Sequence, residues 1–197
     1  MSNNKKQAIA MLRYDENDTN VLSIDTQYHG FFKLEQYQLN HKLFSGQQSA
    51  TFSREVFERG DAVVVVLYDV AQDKLLLLEQ FRSGAIREGA TPWLLEFVAG
   101  MFDENESAVE VAVRETKEET GIDISKESVQ PIMKYFSSPG GMSECIHLYW
   151  ANFDSNNVKS GSVFGLENEN EDILLHLLTR TKALSLLAEG KICNAAT

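Results

Sequence analysis

Residues 100–122 read GMFDENESAVEVAVRETKEETGI, and the rest of the chain can be ordered around them. Ser107, followed three residues later by Glu110, forms a capping box, in which each side chain satisfies a backbone N–H at a helix start. Gly121 suits the left-handed position just past a helix C-terminus. The two signals predict a helix over residues 108–120. Ala108, Val109, Ala112, Val113 and Thr116 recur at helical spacing and are expected to pack inward, with charge on the other face. The helix follows Gly100 and an apolar run at residues 93–98, so the local unit reads as strand, glycine loop, helix.

Upstream, residues 62–68 (AVVVVLY) form a continuous, mostly β-branched run, as in a strand covered on both faces. Residues 74–80 give a second apolar strand after a turn. Downstream, strands are expected at residues 129–136, 146–151 and 173–178, with a polar excursion loop at 154–165. A second helix is expected at residues 182–189, with Ala183, Leu184, Leu187 and Ala188 as its apolar face. The first 55 or so residues differ in texture. Short alternating runs at 21–24, 31–39 and 50–56, punctuated by Gly30 and Gly46, read as a β-meander. The expected organisation is a small N-terminal β-domain over residues 1–55 and an α/β domain over residues 56–197.

Composition narrows the function. The 197 residues carry 18 Lys and Arg against 29 Asp and Glu, a formal net charge of −11, and 43% are hydrophobic. That suffices for a core without covalent staples. The acidity argues against a nucleic-acid grip, which needs a basic stripe, and against docking on an anionic membrane. An anionic substrate would need local compensation from metal or arginine. Cys145 and Cys193 match neither a disulfide framework nor a zinc spacing, which fits a reducing compartment. The apolar patch at residues 8–12 is too short for a signal core or a membrane span, so a cytoplasmic protein is expected.

Glu115, Glu118 and Glu119 fall within about a quarter of the helix circumference at 100° per residue. Like charges so placed destabilise by a few tenths of a kcal/mol per pair, and Arg114 offsets only part of this. The bland reading is a solvated acidic face. The sharper one is a hard-cation site, since clustered carboxylates suit Mg²⁺, Mn²⁺ or Ca²⁺. The wider pattern favours the second: Gly100, five residues, Glu106, seven residues, Arg114-Glu115, two residues, Glu118-Glu119, one residue, Gly121-Ile122. It resembles the signature of the Nudix hydrolases, and composition alone would match it with odds on the order of one in a million. The one departure is Thr116, where a bulky aliphatic is usual; it lies on the packing side.

The resemblance implies a Nudix α/β fold, a mixed β-sheet sandwiched between helices, and hydrolysis of nucleoside diphosphates linked to another moiety. It further implies Mg²⁺, or alternatively Mn²⁺, held by Glu115, Glu119 and the carbonyl of Ala99. Glu118 would be a further ligand or would orient water. Glu106 and Arg114 would pair to hold helix against loop, framed by Gly100 and Gly121.

Outside this box the chain is similar to bacterial ADP-ribose pyrophosphatases. The matching pieces are Gly30-Phe31-Phe32, residues 54–60 (REVFERG), Glu79-Gln80-Phe81-Arg82, residues 91–96 (TPWLLE), Ser138-Pro139-Gly140-Gly141 and residues 169–173 (ENEDI). Phe31 and Phe32 would ordinarily be one core and one exposed ring of an alternating strand, and Arg82 a surface arginine. The resemblance instead implies that Phe31 stacks on adenine, with Arg54 of the partner subunit on the other face. Phe32, Glu55, Arg59, Met101 and Glu144 would line the same site, and Arg82 would hold the pyrophosphate or its ribose. The Ser138–Gly141 segment is a turn by composition, with Gly140 supplying a positive φ. The acidic loop at 168–172 would be a solvated turn in isolation. By resemblance Glu169 is the general base and Glu171 a metal ligand when substrate is present.

The resemblance implies a homodimer that exchanges its N-terminal domains and converts ADP-ribose and water to AMP and ribose 5-phosphate. The rivals are another nucleoside-diphosphate-sugar pyrophosphatase, such as a GDP-mannose hydrolase, and a non-catalytic ADP-ribose sensor. The intact carboxylates and the lack of a basic appendage weigh against the sensor.

Overall fold

The structure is a computed structural model that describes residues 11–197; readings made on residues 1–10 lie outside the described residues. Two compact units are present, Met1–Arg59 with Gly140–Met142, and Gly60–Pro139 with Ser143–Thr197.

The N-terminal unit is an antiparallel sheet of β1 (Thr19–His29), β2 (Lys33–His41) and β3 (Phe52–Glu58), in that order. The meander is therefore present, with longer strands than the alternation indicated. Phe31 and Phe32 are not strand residues: they fall in the connection between β1 and β2. Their rings meet edge to face at 4.7 Å, and Phe32 leans on Phe57 at 5.2 Å. Every residue of β1 is exposed and every residue of β2 half-buried, so this sheet has no closed core of its own. The Gly140–Met142 segment joins its edge, because the N–H of Phe57 donates to the carbonyl of Gly141 at 2.8 Å. Gly140 does not take the positive φ expected of it. The turn is held by pairing with β3 instead.

The larger unit contains, in chain order, β4 (Ala62–Asp69), β5 (Lys74–Phe81), β6 (Trp93–Glu96), β7 (Val98–Met101), α1 (Ala108–Thr120), β8 (Gln130–Phe136), β9 (Cys145–Asn152), β10 (Val163–Phe164), β11 (Ile173–Thr179) and α2 (Arg180–Ala188). One mixed sheet runs β10-β11-β5-β4-β9-β8, and β4 with β9 is its parallel pair. β4 and β5 pair only at their tips, Tyr68 with Leu75 and Asp69 with Lys74. Beyond those tips the hairpin splays, and the gap is filled by β6 on β5 and β7 on β4. Residues 93–98, expected as one strand, are thus two. The ribbon changes partner at Phe97.

β4 is covered on both faces, as its β-branched run implies. Val63, Val65 and Leu67 pack under α1 with Val98, Val111 and Ile173, while Ala62 and Val64 face Ile146 and Leu148. Burying each such side chain is worth about 1.5–3 kcal/mol. α1 has the expected bounds and both expected caps. Gly121 sits at φ +71, and a Cβ there would lie 2.5 Å from the Phe164 ring, so conformation and space both demand glycine.

Two expected faces differ. The fully buried residues of α1 are Val111, Ala112, Thr116, Glu119 and Thr120, while Ala108, Val109 and Val113 are only partly buried. Helix and sheet meet through the small Ala112 and Thr116, so α1 turns Glu119 inward. Thr116 is tolerated because its hydroxyl donates to the carbonyl of Ala112 at 2.7 Å. On α2 only Ala183 is buried, and Leu184 and Leu187 are about half exposed. Its inner side is Ala183 and Leu186, and Leu186 lines a cavity of about 280 Å³ with His176 and Leu178 of β11. The 154–165 excursion is not wholly irregular, since its end forms β10.

Candidate active site

The site is built where the split hairpin lets α1 lie across β7. Gly100 faces the helix with no side chain, and Glu115 fills the space: a Cβ on Gly100 would be 1.7 Å from Oε1 of Glu115. One turn on, the N–H of Ala99 donates to Oε2 of Glu119 at 3.1 Å. The rim of the cluster is Glu118, bonded to Nη1 of Arg114 at 3.1 Å.

Arg114 joins the parts. Its Nε and Nη2 donate to the two oxygens of Glu106 at 3.0 and 2.9 Å, and Nη2 also reaches the carbonyl of Met101 at 3.1 Å. Nη1 donates to Glu115 at 2.7 Å. This two-pronged geometry is what a planar guanidinium provides. The bond from Arg114 holds the Glu106 carboxyl below the usual range, and Glu106 in turn raises Arg114.

The inner carboxylates are not comparably compensated. Burial, only partly countered by Arg114, pushes Glu115 up to about 7. Glu119 is 1% exposed, and burial raises it well above the ordinary carboxylate value. The negative charge of Glu171 adds to both. A buried group of carboxylates with one hydrogen-bonded edge is an oxygen-only donor set suited to a hard divalent cation.

Glu171 arrives on a loop closed by its own backbone: the N–H of Leu166 donates to its Oε2 and its N–H returns to the carbonyl of Leu166, both at 3.2 Å. Glu169 is at the exposed end of the 3₁₀ turn Glu167–Glu169, and Asn170 takes the left-handed conformation after it. Arg82 follows β5 and is anchored by Glu96 through Nε at 3.0 Å and Nη2 at 2.8 Å. Burial is the largest influence and works against the Arg82 charge, but the Glu96 bond together with the negative charges of Glu96, Glu119 and Glu171 outweighs it and the net shift is upward. Glu96 is 2% exposed and also accepts from Gln80 at 3.4 Å.

This geometry coincides with a family pattern. The NUDIX domain model matches residues 58–189. The chain belongs to the NUDIX family. Among NUDIX relatives, the chain is 41% identical over 184 residues to the ADP-ribose pyrophosphatase of Escherichia coli K12, covering 93% of this chain and 86% of that one. It is 39% identical over 193 residues to the ADP-ribose pyrophosphatase of Haemophilus influenzae, covering 96% and 87%. A GDP-mannose pyrophosphatase of Yersinia enterocolitica is 33% identical over 168 residues, covering 85% and 84%. The NUDIX fold is also similar to a crystal structure of an ADP compounds hydrolase, with TM-score 0.64 at 22% identity over 90% of this chain and 87% of that one. The Nudix fold read from the sequence is the fold observed.

Of the residues singled out in the sequence, Ala99, Gly100, Glu106, Arg114, Glu115, Glu118 and Glu119 meet in one place, with Arg82 and Glu171 acting on it electrostatically. Gly121 ends the helix that carries them. Met101 contributes its carbonyl to Arg114, and Glu144 is buried. In the N-terminal unit, Phe31 is 86% exposed, and the guanidinium of Arg59 lies 5.3 Å from the Phe32 ring centre. Arg54, next to Glu55 on β3, stacks over Phe52 at 4.6 Å, an intramolecular partner the sequence did not suggest. Sequence reasoning missed Glu96 as the anchor of Arg82. Its signal was a charged residue inside the otherwise apolar run before Gly100.

Proposed function

We propose that this NUDIX protein hydrolyses the pyrophosphate bond of ADP-ribose, giving AMP and ribose 5-phosphate, with Mg²⁺ as cofactor and Mn²⁺ as an alternative. The observation that carries this reading is the pair of inner glutamates, Glu115 and Glu119, buried and pushed up in pKa beside Gly100. Their oxygens, the carbonyl of Ala99 and, with substrate present, Glu171 would hold the metal; Glu118 is a further ligand or orients water. When bound, the metal neutralises the pyrophosphate and stabilises charge developing at phosphorus. Arg82 binds the phosphates or the adjoining ribose. Glu96 occupies its Nε and Nη2, which leaves Nη1 free of protein partners among the described residues. Glu169, exposed on its loop, takes the proton from attacking water.

The adenine stacks on Phe31 and Arg54, with Phe32, Glu55, Arg59, Met101 and Glu144 contributing to the substrate site. The exposed strand β1 supports a homodimer in which the N-terminal domain, residues 1–55, is exchanged and residues 56–197 form the Nudix domain. The net charge of −11 supports an enzyme without nucleic-acid or membrane partners, and the free Cys145 and Cys193 support a reducing, cytoplasmic compartment. No helix among the described residues is long and apolar enough to cross a membrane.

A second reading, hydrolysis of GDP-mannose, rests on the relatives of that name. Incubation with each compound, with and without Mg²⁺, and chromatography of the nucleotides separates the two. Metal-dependent AMP from ADP-ribose well ahead of GMP from GDP-mannose is expected, and the reverse order would transfer the assignment.

A further inference from the structure

The start of β4, one strand across the sheet from Gly100 of β7, and the start of β9, two strands and roughly 10 Å away at the usual strand spacing, bring together three residues of different chemistry. Asp61 immediately precedes β4, and Cys145 and His147 are the first and third residues of β9. In the parallel register Val63 is opposite His147, so the three side chains, each two residues apart along its strand, share one face of the sheet. A carboxylate oxygen, a sulfur and an imidazole nitrogen, one from each residue, all lie within 4.8 Å of one another. Nε2 of His147 is 3.4 Å from Oδ2 of Asp61, and the N–H of Cys145 fixes the other carboxylate oxygen at 3.1 Å.

His147 turns Nε2 toward Asp61, while its Nδ1 is buried with no hydrogen-bond partner among the described residues, so Nε2 is the nitrogen offered to the cluster. The ring is steadied by the edge of Phe102 at 5.2 Å. Zinc bonds of about 2.0 Å to nitrogen and oxygen and 2.3 Å to sulfur imply tetrahedral edges of roughly 3.3–3.5 Å. The observed 3.4 Å separation already fits such an edge, and the sulfur lies within 4.8 Å of both other ligand atoms. Asp61 is 45% exposed at its side chain and His147 13%, so the cluster is supported from inside and open from outside.

We propose that Asp61, Cys145 and His147 bind Zn²⁺ as three protein ligands, with water in the fourth position, at a site that shares no ligand with the glutamates. The donor sets divide the metals: thiolate and imidazole suit zinc, and the oxygen-only glutamate site suits Mg²⁺. Binding displaces the thiol proton to solvent, so affinity rises with pH. The site does not depend on the hydrolase assignment.

The test uses the full chain, stripped with chelator and held in excess Mg²⁺ so that the glutamates are occupied. Titrated with Zn²⁺ it should take up one ion per chain. With Co²⁺ as the probe it should show a thiolate-to-cobalt charge-transfer band and tetrahedral ligand-field bands. Cys145→Ser should abolish the charge-transfer band, and Asp61→Asn or His147→Gln should weaken binding by on the order of 100-fold. Cys193→Ser should change nothing. A variant-free measurement covers loss of folding: Zn²⁺ should protect Cys145, but not Cys193, from alkylation in the wild-type chain. Absence of a thiolate band, a band that follows Cys193, or Zn²⁺ uptake lost in Glu119→Gln but kept in Cys145→Ser would overturn the proposal.

Discussion

Glu115 occupies the volume that a side chain at position 100 would need, since a Cβ on Gly100 would stand 1.7 Å from its Oε1. Gly100→Ala must therefore push the carboxylate away from the backbone of β7. A displacement of about 1 Å in a catalytic constellation costs on the order of 100-fold in rate. Activity measured across a Mg²⁺ titration should show a lower maximum and a weaker apparent metal affinity. Wild-type behaviour at every Mg²⁺ concentration would remove Glu115 from the metal site.

The pH response of the metal-free protein should carry the mark of Glu115. Its carboxyl is raised from 4.5 to about 7, so between these values the folded chain holds a proton that the unfolded chain has released. Stability from this group is complete below 4.5 and is lost as pH rises through about 7. At about 1.4 kcal/mol per unit the loss is up to roughly 3 kcal/mol. Urea unfolding in chelator, wild type against Glu115→Gln, should show the steeper fall in wild type, because Glu119, also raised, contributes its own fall to both proteins, and excess Mg²⁺ should reverse it. Parallel pH profiles for the two proteins would contradict this.

Glu169→Gln should lower kcat by a factor on the order of 10²–10⁴ with KM nearly unchanged, because a general base acts on the attacking water and not on substrate binding. Steady-state kinetics decide it. Turnover close to wild type would shift the role to Glu118 or Glu171.

Arg82→Ala should destabilise as well as weaken substrate binding. It leaves Glu96, 2% exposed, with only the 3.4 Å bond from Gln80. Leaving a buried acceptor short of its partner costs about 1–3 kcal/mol. Arg82→Lys should not restore KM, since an ammonium cannot bind Glu96 through two nitrogens and still reach a phosphate. Urea melts alongside KM measurements separate the two effects.

Phe31→Ala should leave stability unchanged, as the ring is 86% exposed. Loss of base stacking, worth about 1–3 kcal/mol, should raise KM for ADP-ribose roughly 10- to 100-fold. An unchanged KM would place the adenine elsewhere.

The helix with its caps, the doubly covered β4 and the glutamate box were legible because each rests on neighbours in sequence. Ser107 and Glu110 are three residues apart, and the glutamates lie within two turns of one helix. What was not legible depends on partners distant in the chain. The depth of Glu119 follows from how closely Ala112 and Thr116 let α1 approach the sheet, which helical spacing does not reveal. The division of residues 93–98 follows from the splaying of β4 and β5, a feature of pairing and not of hydrophobicity. Asp61 and Cys145 are 84 positions apart, so cysteine spacing carried no sign that a carboxylate and an imidazole would join Cys145.

The ribbon that changes partner at Phe97 limits more than side-chain identity. Residues 96, 98 and 100 alternate toward α1, and 97 and 99 away from it, across a junction where the strand has two different neighbours. Deleting or inserting one residue between Glu96 and Gly100 would reverse that parity and aim Ala99 at the helix. Point changes at Phe97 should be tolerated far better than any change in its length, so natural length variation in this fold belongs in the loops on either side of the ribbon.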